Sequence, residues 1–187
     1  MRKLVLFLEE ASAKAAFEGL LPRFLPEDVV VQYVVFEGKS DMEKQLERKL
    51  RGWIQPNTGF LVLRDQDAAE CHDVKRKLAR ICRKAGKPCA VVRLACRELE
   101  SWYFGELAAV EQALGIPNLA AQSRKAKYRE PDAIHAPSSE LKKITRQTYQ
   151  KIAGSREIGK FLSPDPSQNT SVSFRHFITG ISKALVS

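Results

Sequence analysis

The first hundred residues alternate between short, continuously apolar runs and longer stretches with helical spacing, and few folds accept that order. The apolar runs are Lys3 to Leu8, Val29 to Phe36, Phe60 to Leu63 and Cys89 to Ala95. They suit strands covered on both faces rather than strands with one wet side. The first intervening stretch starts near Ser12, places Ala16, Phe17, Leu20, Leu21 and Phe24 on one side, and closes at Pro26. The second is capped by Ser40 or Asp41 and runs to about Trp53. Its stripe is Met42, Leu46, Leu50 and Trp53, with Lys44, Arg48 and Arg51 outside. After an Asn57-Thr58-Gly59 turn and the third run comes a helix from Cys71 to Lys84, ended by Gly86 and Pro88. Strands joined by single helices pair in parallel through right-handed crossovers, so the expectation is an α/β sheet covered on both faces.

The rest of the chain changes character. Helices are expected over Leu99 to Leu114, from Ser138-Ser139-Glu140 through Leu141, Ile144, Tyr149 and Ile152, and from a Ser171 or Ser173 cap through Phe174, Phe177, Ile178 and Ile181. Ala120 to Pro137 reads as an ordered loop or short helices. The expected organisation is one domain over 1–187, with an α/β core at 1–104 and a helical extension at 105–187 packed on it.

Charge gives the first functional hint. Lys and Arg number 31 against 22 acids, a formal +9, and the segment 123–160 holds ten bases and four acids. Such a surplus favours polyanions without reading their sequence. No apolar stretch reaches the roughly 18 residues of a membrane helix, and the first run stops at Glu9-Glu10, too early for a signal peptide. A cytoplasmic protein with no membrane partner is expected. Cys71, Cys82, Cys89 and Cys96 form no Cys-x-x-Cys pair, which argues against zinc and redox motifs. No Walker loop or Gly-x-Gly-x-x-Gly is present.

The acids recur where strands end at their carboxyl side. Glu9-Glu10 follows the first, Glu37 the second, Asp65-x-Asp67 the third and Glu98-x-Glu100 the fourth. Open parallel sheets bind ligands at that edge. With strands in a 2-1-3-4 order, Glu9 and Asp65 become neighbours. Carboxylates gathered at one edge repel unless a cation sits among them, and hard oxygen ligands favour Mg²⁺ or Mn²⁺. The structural alternative is helix capping, with Asp67 starting the next helix and Glu10 favouring the positive end of the first.

Phe7-Leu8-Glu9 with Val62-Leu63-Arg64-Asp65-Gln66-Asp67 resembles the Toprim domain of primases, topoisomerases and overcoming-lysogenization-defect nucleases. The hallmarks of that domain are a glutamate after the first strand and an Asp-x-Asp after the third. With Cys96-Arg97-Glu98-Leu99-Glu100-Ser101-Trp102-Tyr103 and Ser171-x-Ser173-Phe174-Arg175 added, nearly the whole chain looks like a small prokaryotic Toprim-like family, domain of unknown function 4276. The resemblance implies a Toprim-like Rossmannoid sheet of order 2-1-3-4 and a metal-dependent nucleolytic or nucleotidyl site. It also implies a partner ATPase in an anti-phage or mobile-element setting. Toprim domains follow their glutamate with glycine, where this chain has Glu10. Phe36-Glu37-Gly38 looks more like the textual signature, but Glu37 leaves room for only one helix before Asp65, so Glu9 ranks first.

The expected activity is Mg²⁺- or Mn²⁺-dependent cleavage of DNA or RNA, with Glu9, Asp65, Asp67, Glu98 and Glu100 as the catalytic set. Glu9, Asp65, Asp67 and Glu98 are the expected metal ligands, with Glu98 or Glu100 completing the site. Lys39, Arg64, Arg124, Lys125, Lys127, Arg129, Lys142, Lys143 and Arg146 are candidates for the nucleic-acid backbone. Trp102 and Tyr103 read as packing residues in preference to base-stacking ones. The competing expectation is a non-catalytic Toprim-like subunit that binds nucleic acid or an ATPase. A phospho-acceptor receiver is disfavoured because the fourth strand ends in Cys96-Arg97-Glu98 and no fifth strand is evident.

Overall fold

The computed structural model describes residues 1–186. β1 (Arg2–Leu8), β2 (Val29–Val35), β3 (Thr58–Asp65) and β4 (Val91–Ala95) form one sheet in the order β2-β1-β3-β4, every neighbouring pair parallel. That is the α/β architecture and strand order expected from the sequence. The crossovers are α1 (Ala11–Leu20), α2 (Lys39–Arg51) and α3 (Cys71–Lys84). Beyond β4 come α4 (Glu100–Phe104), α5 (Leu107–Leu114), α6 (Pro137–Ile144), α7 (Lys151–Gly159) and α8 (Val172–Val186), with short 3-10 turns between α5 and α6.

Alternate residues of the strands feed two apolar layers. Leu4, Leu6, Leu8, Leu61 and Leu63 face α1, α7 and α8, whereas Val5, Phe7, Phe60 and Val62 face α2 and α3. This two-sided burial explains why the runs carry no polar alternation. β2 is the exception. As an edge strand it is only half buried, with Val30 42% exposed, so the expectation of two covered faces fails there.

Aromatic contacts tie the helices after β4 to the sheet. Phe177 of α8 stacks on Phe17 of α1 with centroids 4.6 Å apart and packs on Trp102 of α4 at 4.9 Å. The Trp102 indole N–H donates to Ser173 Oγ at 2.8 Å, so the buried ring keeps its polar edge satisfied. Ser171 caps α8 by accepting from the Phe174 N–H at 3.1 Å.

Two expected helices break. The one over 99–114 parts at Gly105, whose carbonyl accepts from the Thr170 N–H at 3.0 Å and whose bare Cα lies against Asn169. The one over 138–152 stops at Ile144. There Thr145 turns its hydroxyl back to the Leu141 carbonyl at 2.7 Å, and Arg146 and Gln147 adopt left-handed φ of 49° and 66°. Tyr149 and Ile152 therefore do not share a stripe with Leu141. Tyr149 is fully buried and Ile152 is 49% exposed.

α7 rests directly on α1 because Gly159 has no side chain; a Cβ there would collide with the backbone of Ala16. Overpacking of this kind costs about 1–3 kcal/mol. Gly159→Ala is therefore expected to lower the melting temperature by several degrees, a shift that a thermal melt followed by circular dichroism will read. The same contact seats the carboxyl end of α7 on α1.

Candidate active site at the carboxyl edge

Strand register brings the acids together. Leu8 is level with Leu63, and Asp65 with Ala95, so the first residues beyond β1, β3 and β4 leave one edge. Glu9 is buried, and its Oε2 accepts from the Asp65 N–H at 3.1 Å. Burial pushes the Glu9 carboxyl above the usual carboxylate range; the Asp65 N–H opposes this and the nearby Asp67 charge adds to it. Asp65 is raised well above its ordinary value, first by burial and then by the charges of Glu100, Glu9 and Glu10. A niche of about 10 Å³ lies among Glu9, Glu10, Arg64 and Asp65, close to the smallest volume that holds one water.

Glu10 does not disturb this arrangement. It occupies the N-cap position of α1 in extended backbone (φ −138°, ψ 156°) without a side-chain hydrogen bond to the helix, a conformation open to any residue. Its carboxylate pairs with Lys151.

Glu100 opens α4 and is fully buried. Its Oε1 accepts from the Tyr149 hydroxyl at 2.8 Å, whereas Oε2 has no hydrogen-bond partner. Burial raises its pKa, opposed by the Tyr149 hydrogen bond and by the Lys151 charge. Gly154 leaves room for the Tyr149 ring, and the Tyr149 hydroxyl lies 3.1 Å from Ser155 Oγ.

Lys151 is a candidate site residue that the sequence does not single out. It begins α7, where the helix dipole disfavours a cation. Burial also lowers its pKa, yet Glu10, Glu100 and Asp65 together hold it above its ordinary value. The ammonium thus stands among carboxylates from three different strand ends. A lysine at the start of a helix that lacks a first-turn acid is the available signal, but it is legible only once the break before α7 is known.

The other expected residues divide. Asp67, with a left-handed φ of 56°, points to the rim, where Lys39 Nζ meets its Oδ2 at 3.1 Å. Glu98 turns away to accept from the Ser138 N–H at 2.7 Å, so it caps α6. In this arrangement Asp67 and Glu98 are committed to protein partners, and Glu100 is the member of the Glu98-x-Glu100 pair that faces Asp65. The two carboxylates diverge because the chain is already helical at Glu100. Arg64 is buried rather than presented to a phosphate, with Nη1 2.5 Å from Glu43 and Nε 3.8 Å from Glu9. Trp102 and Tyr103 are core residues with no exposed face. Glu37 is exposed on the rim.

Arg124, Lys125, Lys127, Arg129, Lys143 and Arg146 are exposed and Lys142 is half-buried. They are spread over short 3-10 turns, α6 and the segments between and beyond them, and Lys127 is taken up by Glu140 at 2.7 Å.

Removing a helix cap costs about 0.5–2 kcal/mol. Glu98→Ala is accordingly expected to lower the urea midpoint modestly while leaving any cation-dependent activity that requires Asp65 within a few-fold of wild type. A collapse of activity with unchanged stability would return Glu98 to the site.

The donor chemistry fits a hard divalent cation: Glu9, Asp65 and Glu100 supply only carboxylate oxygens, and Glu100 Oε2 is an orphan acceptor. Among the described residues, no three His, Cys, Asp or Glu side chains already converge as a ligand set. The Lys151 ammonium supplies the positive charge there.

Comparison with known proteins finds one family. The profile of the family described as "Domain of unknown function (DUF4276)" matches residues 8–182. No curated protein and no solved structure matches.

Proposed function

This chain belongs to the DUF4276 family, and we propose that it is a Mg²⁺- or Mn²⁺-dependent phosphodiesterase of Toprim type acting on nucleic acid. The observation that carries the reading is one ammonium group, Lys151, paired with Glu10 and held charged by Glu100 and Asp65 at the carboxyl edge of a parallel sheet, with Glu9 accepting from the Asp65 N–H beside it. Glu9, Asp65 and Glu100 would hold the cation. Once bound, such an ion neutralises a phosphodiester and activates water for in-line attack.

The protein's own groups have separate tasks. Lys151 faces the place where the phosphate would lie and balances charge that builds on its oxygens. Tyr149 orients Glu100 through its hydroxyl, and Arg64 braces Glu9 from the buried side. Asp67 and Lys39 form the rim pair through which substrate would enter. A formal charge of +9 supports a polyanionic substrate. The chain has no Walker loop, so any coupling to ATP hydrolysis would come from a partner ATPase, consistent with the defence or mobile-element setting that the Toprim resemblance implies. No described helix is long and apolar enough to cross a membrane.

The direct test incubates purified protein with plasmid DNA and with RNA in Mg²⁺, Mn²⁺ or EDTA. Cation-dependent nicking or degradation of either polymer supports the reading, and intact polymers under all conditions refute it.

A second reading has its own support. Because Lys151 already offsets the carboxylates, the cluster is also compatible with a subunit that docks nucleic acid or an ATPase without chemistry. Undetectable divalent binding beside normal complex formation would favour it.

A further inference from the structure

The outer face of α3 collects charge that the site does not use. This 14-residue helix carries one acid, Asp73, against six bases, and all six are exposed. Carboxylates answer only part of that charge. Asp73 pairs with Arg76, Glu43 of α2 with Lys77 at 2.5 Å, and Glu47 of α2 with Lys84 at 3.6 Å. Among the described residues Lys75, Arg80 and Arg83 have no ion-pair partner. Arg76, Arg80 and Arg83 follow helical spacing and lie along one stripe, beside a hollow of about 410 Å³ lined by Asp73, Arg76, Lys77, Arg80 and Arg83. Like charges four residues apart weaken a helix, so this stripe opposes the helix that carries it.

Its position connects it to the reaction. α3 begins at Cys71, a short loop beyond Asp65-x-Asp67, and its buried side (Val74, Leu78, Cys82) is packed against the sheet. The stripe therefore has a fixed direction away from the site edge. From Arg76 to Arg83 it spans about 10 Å at 1.5 Å per residue, or about three steps of a duplex at 3.4 Å each. The bases of 124–146 have no comparable single rigid support.

We propose that the exposed stripe of α3, centred on Arg76, Arg80 and Arg83, is the docking surface for the phosphodiester backbone of the nucleic acid delivered to the sheet-edge site. The inference rests on the phosphodiesterase reading and names the surface by which its substrate is held. Contact is with phosphates, so it is indifferent to base sequence and sensitive to salt.

The experiment measures binding in EDTA, where no cleavage occurs, by fluorescence anisotropy with labelled duplex DNA and, in a parallel arm, duplex RNA of the same sequence. The test variant is Arg76→Gln/Arg80→Gln/Arg83→Gln. The charge-matched control is Arg156→Gln/Lys160→Gln/Arg175→Gln, from α7, the residue that ends it and α8, on the opposite side of the sheet. Thermal melts establish that both variants fold, as all six positions are exposed.

The α3 variant is expected to bind at least about tenfold more weakly, and its salt slope to fall by about two to three, near 0.9 per lost phosphate contact. The control should stay close to wild type. The arm that binds identifies the polymer. Equal losses in both variants, a wild-type slope in the α3 variant, or binding of neither polymer while an acidic polypeptide binds would each overturn the proposal. Binding that depends on α3 without any cleavage would instead leave this surface standing and remove the catalytic reading.

Discussion

Replacing Asp65 by Asn is expected to abolish divalent-dependent cleavage and, in the same protein, to raise its melting temperature. Asp65 sits where burial and the charges of Glu100, Glu9 and Glu10 all disfavour ionisation, with Lys151 in opposition. An amide of nearly the same shape removes that repulsion. A gain of about 1 kcal/mol would appear as about 2–4 °C for a chain of this size. The pH dependence has a definite sign. Because the native pKa of Asp65 is raised, the unfolded chain binds fewer protons between its ordinary value and the native one, so stability falls as pH rises through that window. Glu9 and Glu100 are raised as well and act in the same direction. Wild type should lose stability on going from mildly acidic to neutral pH, and Asp65→Asn should lose less. Thermal melts across that range, paired with the cleavage assay, separate a functional carboxylate from a structural one. A structural Asp65 would be stabilising, and its loss would lower the melting temperature.

Lys151→Gln carries the second large effect. If the ammonium balances charge on the reacting phosphate, its removal should slow cleavage by about 10²–10³-fold, as loss of one transition-state donor does elsewhere. It also leaves Glu10, Glu100 and Asp65 without their shared cation. The side chain is 39% exposed, so water screens much of the pairing and the stability loss should stay at about 1 kcal/mol. The distinguishing feature is rescue. In the variant, Mn²⁺ enters a cluster no longer neutralised from within, so its stabilising effect should exceed that in wild type. Melts with and without Mn²⁺ report this directly. A lysine that served only to seat α7 would show no such gain.

The parts of this arrangement that the sequence displayed are those governed by local period and strand ends. Two-sided burial makes Lys3 to Leu8 and Phe60 to Leu63 read as apolar without alternation, and the positions of Glu9 and Asp65 then follow from strand order. β2 differs because its edge position leaves Val30 in water, a fact of topology rather than composition. Glu98 and Glu100 were separable only through where α4 begins, since an extended chain and a helix start point the same two carboxylates in different directions. Lys151 and Tyr149 were hidden by the left-handed turn at Arg146 and Gln147. Neither residue advertises that conformation as glycine would, so the helical period ran on through the break. Arg64 looked available for phosphate because it flanks Asp65, but successive residues of a strand point to opposite faces and its side chain is buried against Glu43 and Glu9.

Calorimetric titration of Mn²⁺ into the wild-type protein and Asp65→Asn at neutral pH decides whether the sheet edge holds a cation. Saturable binding to wild type that is lost in the variant is the predicted outcome. Absence of saturable heat with folded wild-type protein, or identical binding by both proteins, would contradict a cation site built from Glu9, Asp65 and Glu100.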